Sequence, residues 1–238
     1  MTASVLLAAV LMTSAQQRML LNQPAKSSAP SFNPSQISGA SLYLSSHDLP
    51  ANAFFFGWTN DLNTSQIFTN VGTTYPANTA SGVQFDGTSG NYLLDATCPT
   101  TFSNTVDSLW VRLIISSYAS YRAIIATKSF SGQGLSTFGT SVILDQGQVL
   151  TVAPAVPTSS VCDILIPANA TTVQCYTNGV AADSFSPFTA INSTIWGIGH
   201  DNGGDPNFVG YIQSVFICTN HSLTLSEANS ISNYANSH

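Results

Sequence analysis

The sequence predicts an all-β protein built as a sandwich or barrel, and three observations carry that expectation. From Ile37 onward, roughly a dozen short apolar segments recur at near-regular spacing, separated by Gly, Asn, Asp, Ser and Pro. Hydrophobic residues make up 44% of the chain and charged residues only 7%, against a usual charged share of about 25%. Ser, Thr and Asn therefore carry the polarity, as they do where strands are short and turns are many. Within that region a single segment, at the C-terminal end, has a helical pattern.

The elements follow in order. ASVLLAAVLM, near the start, is apolar over ten residues and then gives way to TSAQQRMLLN. Its length is too short to span a bilayer. It reads either as an anchoring or oligomerising helix, with Val5, Leu6, Leu7, Val10 and Leu11 as its apolar surface, or as the h-region of a signal peptide cleaved near Ala15. The absence of Lys or Arg ahead of it argues against the second reading. Residues 1–21 form this segment. Residues 22–36 (NQPAKSSAPSFNPSQ) hold three prolines and four serines without hydrophobic periodicity, so they read as an extended arm. Residues 37–238 form the domain.

Within the domain, SLYL (41–44) is a short apolar strand. GVQFDG and NYLL flank the turn residues Gly87-Thr88-Ser89-Gly90. LWVRLII (109–115) and YRAIIAT (121–127) are β-rich. SVIL and QVLTV flank Asp145-Gln146-Gly147 as a hairpin, and Asn178-Gly179 turns between QCYT and VAADSF. TIWGIG (194–199) and FVGYIQSVFIC (208–218) complete the strands. Trp110 and Trp196 fall inside strand patterns and read as core. The closing helix has a physical start: Thr224 is an N-cap with Glu227 three residues on, which makes a capping box, and Leu223 stands where it can staple onto Ala228. Ala228, Ile231 and Tyr234 then share one face.

Composition removes several function classes. The net charge is −6 and no Lys/Arg cluster exists, so a nucleic-acid partner is not expected. Glu227 is the only glutamate, and its capping position gives it a structural task. No HExxH or GxSxG occurs. Asp201 and Asp205 are the closest acid pair in sequence, but the Gly and Pro content of HDNGGDPN favours a solvated loop. Asp201, Asn202, Asp205 and Asn207 supply oxygens at a spacing that a calcium ion tolerates, without EF-hand spacing; an ordinary turn is the alternative, and no other cofactor is expected. Among the four cysteines, symmetry about a turn at Ala168-Asn169 sets Cys162 opposite Cys175. That position allows a cross-strand disulfide or two small buried hydrophobes. Sequons occur at Asn63, Asn169, Asn192 and Asn220.

Phe54, Phe55, Phe56 and Trp58 in AFFFGWTND are the candidate recognition residues. Three consecutive phenylalanines cannot all face one way in a strand, so at least one points outward, as a sugar-stacking surface or a protein interface.

The order NPSQISGASLYLSSHDL, GVQFDGTSGNYL, SLWVRLI, VQCYTNGV and FVGYIQSVFICTNHSLTLSEANSISNYA resembles the concanavalin A-like, laminin-G-type jelly-roll domains. It is most similar to the versions found in bacteriophage virion and tail proteins. The resemblance spans residues 32–238. It implies a jelly-roll β-sandwich whose last long strand is followed by a short helix. It also implies glycan-binding modules, glucan hydrolases or structural parts as the function. The hydrolases carry two glutamates on one strand with an aspartate between, which this chain lacks. The expectation is therefore a non-enzymatic virion structural protein, a capsid decoration or tail/fibre component. It would sit on the virion surface, joined by its N-terminal helix to other virion proteins or to copies of itself, and would present a lectin-like head to cell-surface glycans. The alternative is an extracellular, secreted carbohydrate-binding module; a glycoside hydrolase is the distant third.

Overall fold

The computed structural model describes residues 32–70, 72, 74–88, 90–95, 97, 100–118, 121–127, 134–145, 149–186, 192–200 and 207–237. The N-terminal apolar segment, residues 22–31 of the arm, Cys98, and Asp201, Asn202 and Asp205 lie outside them, as does the side chain of Trp196. The compact β unit runs from Asn33 to His238. It starts four residues before Ile37 because Asn33 and Gln36 cap a 3-10 turn, Pro34–Gln36, reciprocally.

Along the chain the strands are β1 (Ala40–Ser45), β2 (Ala53–Phe54), β3 (Gly57–Asn60), β4 (Asn63–Asn70), β5 (Ala77–Thr79), β6 (Gly82–Asp86), β7 (Leu93–Leu94), β8 (Thr101–Ser103), β9 (Ser108–Ile115) and β10 (Arg122–Thr127). They continue with β11 (Gly134–Phe138), β12 (Ser141–Asp145), β13 (Val149–Ala153), β14 (Val161–Ile166), β15 (Val173–Thr177), β16 (Val180–Phe185), β17 (Asn192–Ile198) and β18 (Val209–Cys218), and the helix α1 (Leu225–Ser237) closes the chain. Two antiparallel sheets result. The first runs β16-β15-β14-β9-β18-β6-β5-β2 with β1 also on β18; the second runs β13-β12-β11-β10-β17-β7-β4-β3 with β8 also on β17. The predicted all-β sandwich with a short C-terminal helix is what forms.

The long last strand is the spine of the first sheet. One edge of β18 pairs with β9 from Gly210↔Ile115 to Cys218↔Ser108. Its other edge serves two strands in turn, β6 along its first half (Ile212↔Val83) and β1 along its second (Ile217↔Leu42). Side chains alternate across this sheet. Leu42, Leu44, Leu109, Val111, Leu113, Ile164, Ile166, Val215 and Ile217 enter the core between the sheets. The intervening Tyr43, Trp110, Leu165 and Phe216 are also buried, yet stand outside that core cluster. Helix α1 accounts for them: it buries Ala228, Ile231 and Ala235, and Tyr234 meets Tyr43 edge-on at 5.8 Å between ring centroids. Burial on both faces is why LWVRLI and SVFIC read as continuous apolar runs rather than alternating ones. The helix therefore lies over the sheet face and seals it.

Its N-terminus is capped as the sequence indicates. The Thr224 amide donates to Glu227 Oε2 (2.9 Å), and the Glu227 amide donates to Thr224 Oγ1 (3.2 Å). His221 Nε2 lies 2.9 Å from Glu227 Oε1. Burial works against ionisation of Glu227, but the Thr224 amide and hydroxyl and His221 outweigh it and hold the carboxyl below its ordinary value.

The Gly87–Gly90 turn carries the chain across the sandwich, since β6 belongs to the first sheet and β7 to the second. One expectation is corrected here: Cys162 and Cys175 do not face one another. Ile164 pairs with Thr177 and Leu165 with Tyr176. Cys175 therefore stands opposite Ile166, four positions out of step with Cys162, and both cysteines are free and buried. Burial, the largest cause, pushes each thiol up to about 12.

Candidate functional site

AFFFGWTND is the segment where the chain changes sheets. Strand β2 ends the first sheet, pairing Phe54 with Ala77, and β3 ends the second, pairing Trp58 with Phe68. Between them the phenylalanines separate. Phe55 turns into the core, 6% exposed, while Phe54 and Phe56 are 74% and 73% exposed. Trp58, a candidate recognition residue, is 1% exposed; its indole N–H donates to the Ser45 carbonyl at 2.9 Å, which makes it a core residue. Alternation in β3 sends it inward, while Phe55 turns in at the crossing between β2 and β3.

The outward rings are not isolated. Phe56 packs edge-to-face on Tyr75 at 4.8 Å. Asn70 holds the surrounding loops: its backbone N–H donates to the Phe56 carbonyl (2.8 Å), and its side-chain NH2 is shared among the carbonyls of Thr74, Gly90 and Tyr92 at 2.9–3.1 Å. Tyr92 in turn stacks on His200 at 4.1 Å. One asparagine thus ties the backbones that carry two aromatic pairs. Ile67, 42% exposed, covers Gly57 next to Phe56; a Cβ at Gly57 would come within 2.8 Å of Ile67 Cγ2. No charged residue lies between Asp61 and Asp86. This rim offers exposed aromatic faces, which suit stacking.

Of the calcium candidates, Asn207 is described. It is buried, its side-chain NH2 donates to the Thr88 carbonyl, and its own carbonyl accepts from Arg122 at 2.6 Å. These contacts hold the Gly87–Gly90 turn. Among the described residues no group of three or more His, Cys, Asp or Glu converges to hold a metal. No helix among them is long and apolar enough to cross a membrane.

The fold makes an acid pair that no sequence motif announces. Asp48, at the end of the 3-10 turn Ser46–Asp48, hydrogen-bonds to Asp61 in the β3–β4 turn. Burial, and then the Asp48 carboxylate, push Asp61 up to about 7. In the unfolded chain Asp61 loses its proton near 3.8. Between that value and about 7 the folded state holds more protons, so stability falls as pH rises. The Asp61 carboxyl is only partly enclosed, and solvent screening leaves roughly 1 kcal/mol of the effect. Denaturant unfolding at pH 5 and pH 8 is expected to show wild type more stable at pH 5, with the difference reduced by about that amount in Asp61→Asn. An identical pH dependence in the variant would remove the pair from this role.

Fold and rim together make an all-β sandwich of two antiparallel sheets with exposed aromatic side chains at one edge. Solved structures share the architecture at low identity. A sialidase from Trypanosoma rangeli superposes with a TM-score of 0.56 at 12% identity, over 81% of this chain and 32% of the sialidase. The botulinum neurotoxin serotype G binding domain gives 0.54 at 16%, over 83% and 51%. Domain 4 of an extracellular GH43 arabinanase from Geobacillus stearothermophilus, in complex with arabinotriose, gives 0.46 at 15%, over 70% and 80%. The chain spans about a third of the sialidase and half of the neurotoxin domain. No protein-family model and no curated protein sequence matches the chain. At these identities the likeness concerns the fold.

Proposed function

We propose that this chain is a non-enzymatic virion structural protein, a capsid decoration or tail/fibre component, whose lectin-like sandwich adheres to surface glycans through the Phe54/Phe56/Tyr75 rim. The observation that carries the adhesive part is the exposure of Phe54 and Phe56 in a stretch of chain, residues 49–60, without charged residues. Folding alone gives no reason to leave two large aromatic side chains in water. The virion part rests on the resemblance to phage jelly-roll domains and on residues 1–21. Val5, Leu6, Leu7, Val10 and Leu11 would each gain roughly 1.5–3 kcal/mol on burial. Residues 22–32, the part of the arm ahead of the compact unit, would carry them about 35 Å when extended, far enough to dock on a neighbouring subunit. Deleting residues 2–21 is then expected to leave a folded sandwich that no longer joins its assembly, read by native mass spectrometry. Normal incorporation of the truncated protein, or a native protein beginning near Gln16, overturns the anchoring role.

The second reading, a secreted carbohydrate-binding module, is favoured by the sequons. Asn63, Asn169 and Asn220 are all exposed, and Asn169 sits in a loop where Thr171 donates both its N–H and its hydroxyl to the asparagine oxygen at 2.9–3.0 Å.

A further inference from the structure

A second feature has the chemistry of a site, on the opposite face of the first sheet from the core. Between α1 and the strands β9, β14 and β15 lies a cleft of about 290 Å³. Its floor is charged but neutral overall. Arg112 Nε and Asp163 Oδ1 lie 3.0 Å apart, with side chains 10% and 17% exposed. Arg112 is further engaged by the Ser232 carbonyl and Asn236, and Asp163 Oδ2 accepts from the Ser232 hydroxyl at 2.7 Å. An anion would need a cation not already matched, and a metal would need carboxylates not already matched. Neither is present in the cleft.

The mouth is different. Asn178 and Asn229 stand on its two sides, one on the β15–β16 turn and one on the helix. The Asn178 carbonyl oxygen is fixed by the Asp163 N–H at 2.8 Å, which leaves its NH2 to donate. The Asn229 amide is exposed and offers both a donor and an acceptor. Tyr176, half-buried, adds a ring face and a hydroxyl, and Leu165 adds an apolar wall. Gly179, with a φ of +76°, makes the tight turn that holds Asn178 at this mouth.

We infer that this cleft binds one ring of a neutral, hydroxyl-rich ligand, a monosaccharide or a terminal sugar residue. Hydroxyls both donate and accept, so they match opposed amides; a sugar's C–H face matches the Tyr176 ring; and overall neutrality matches the paired floor. The volume lies just below the usual range for ligand pockets, roughly 300–1,000 Å³, which admits one ring rather than a chain. The site is separate from the Phe54/Phe56 rim and does not depend on a virion role.

The experiment titrates the full-length, isotope-labelled protein with D-glucose, D-galactose, D-mannose and N-acetyl-D-glucosamine, following side-chain amide resonances. At least one sugar is expected to move the Asn178 and Asn229 signals with millimolar affinity. Asn229→Ala is expected to weaken that binding by about tenfold, the loss of one or two hydrogen bonds, with unchanged melting temperature. Phe56→Ala is expected to leave it intact. Absence of shifts with all four sugars overturns the inference. So does binding that survives Asn229→Ala together with Tyr176→Ala, or binding that Phe56→Ala abolishes. The last result would place sugar at the rim and leave the adhesive reading standing; cleft binding with an inert rim would do the reverse.

Discussion

Arg112→Ala is expected to destabilise the domain by about 3–5 kcal/mol, the loss that follows when one partner of a buried pair is removed. The substitution leaves Asp163 facing the underside of α1 without its counter-charge, 3.0 Å from where Nε stood. It also cuts two of the links that hold the last turns of the helix, from Nη1 to the Ser232 carbonyl at 3.0 Å and to Asn236 Oδ1 at 2.7 Å. Burial already raises the Asp163 carboxyl above its ordinary value, against the opposing pull of Ser232 and Arg112. Without Arg112 it rises further. The folded variant then takes up a proton at a pH where the unfolded chain has none, so its deficit is largest at neutral pH and shrinks as pH falls toward 4. Arg112→Met combined with Asp163→Leu removes both charges and is expected to be near neutral or stabilising. Urea unfolding of the three proteins at pH 7 and pH 4.5 checks the set. A deficit in Arg112→Ala that is the same at both pH values would mean that the ion pair is not what holds the helix.

This pair also shows where the sequence is legible and where it stops. Arg112 stands out as the one charge within LWVRLII, but its partner does not, because Asp163 meets it only through the β9–β14 register. Local chemistry is readable where it closes within a few residues. Thr224 and Glu227 cap α1, Asn178-Gly179 turns β15 into β16, and one of three phenylalanines in a row faces away from the others. The cysteine register fails for the same reason that Asp163 is hidden. Symmetry about Ala168-Asn169 assumes a tight turn. In the fold, the Ala168 N–H donates to Ser108 Oγ and its carbonyl accepts from the Ser222 hydroxyl, while Asn169 starts its own turn with Thr171 and Thr172. Those contacts draw the loop toward β9 and the C-terminal corner and move its apex beyond Asn169. Asp48 and Asp61 are likewise separated by two short strands, and only the sheet crossing at Phe55–Phe56 brings their turns to one end of the sandwich. The rim is half legible for that reason. Outward phenylalanines follow from alternation, but Tyr75 joins Phe56 only because Asn70 ties its loop to the Gly87–Gly90 turn.

Alanine substitution along the phenylalanine row is expected to separate folding from recognition within three consecutive residues. Phe55→Ala removes a ring that is 6% exposed and packs in the core between the sheets, so it should cost about 3–5 kcal/mol, the usual loss for a buried phenylalanine that leaves a cavity. Phe54→Ala and Phe56→Ala remove rings that are about three-quarters exposed, and each should change stability by no more than about 0.5 kcal/mol. Phe56→Ala also forfeits its edge-to-face contact with Tyr75, so its cost lies at the upper end of that range for so exposed a pair. If the rim is the adhesive surface, binding to a glycan-bearing surface moves the other way. It is lost in the Phe54→Ala/Phe56→Ala double variant, which keeps its melting temperature, and it survives in Phe55→Ala at temperatures where that variant remains folded. Thermal unfolding paired with adhesion to glycan-coated and bare surfaces reads both quantities on the same samples. Adhesion that persists in the stable double variant removes recognition from this edge and leaves Phe54 and Phe56 as an interface for another protein subunit, the other use that an exposed aromatic surface supports.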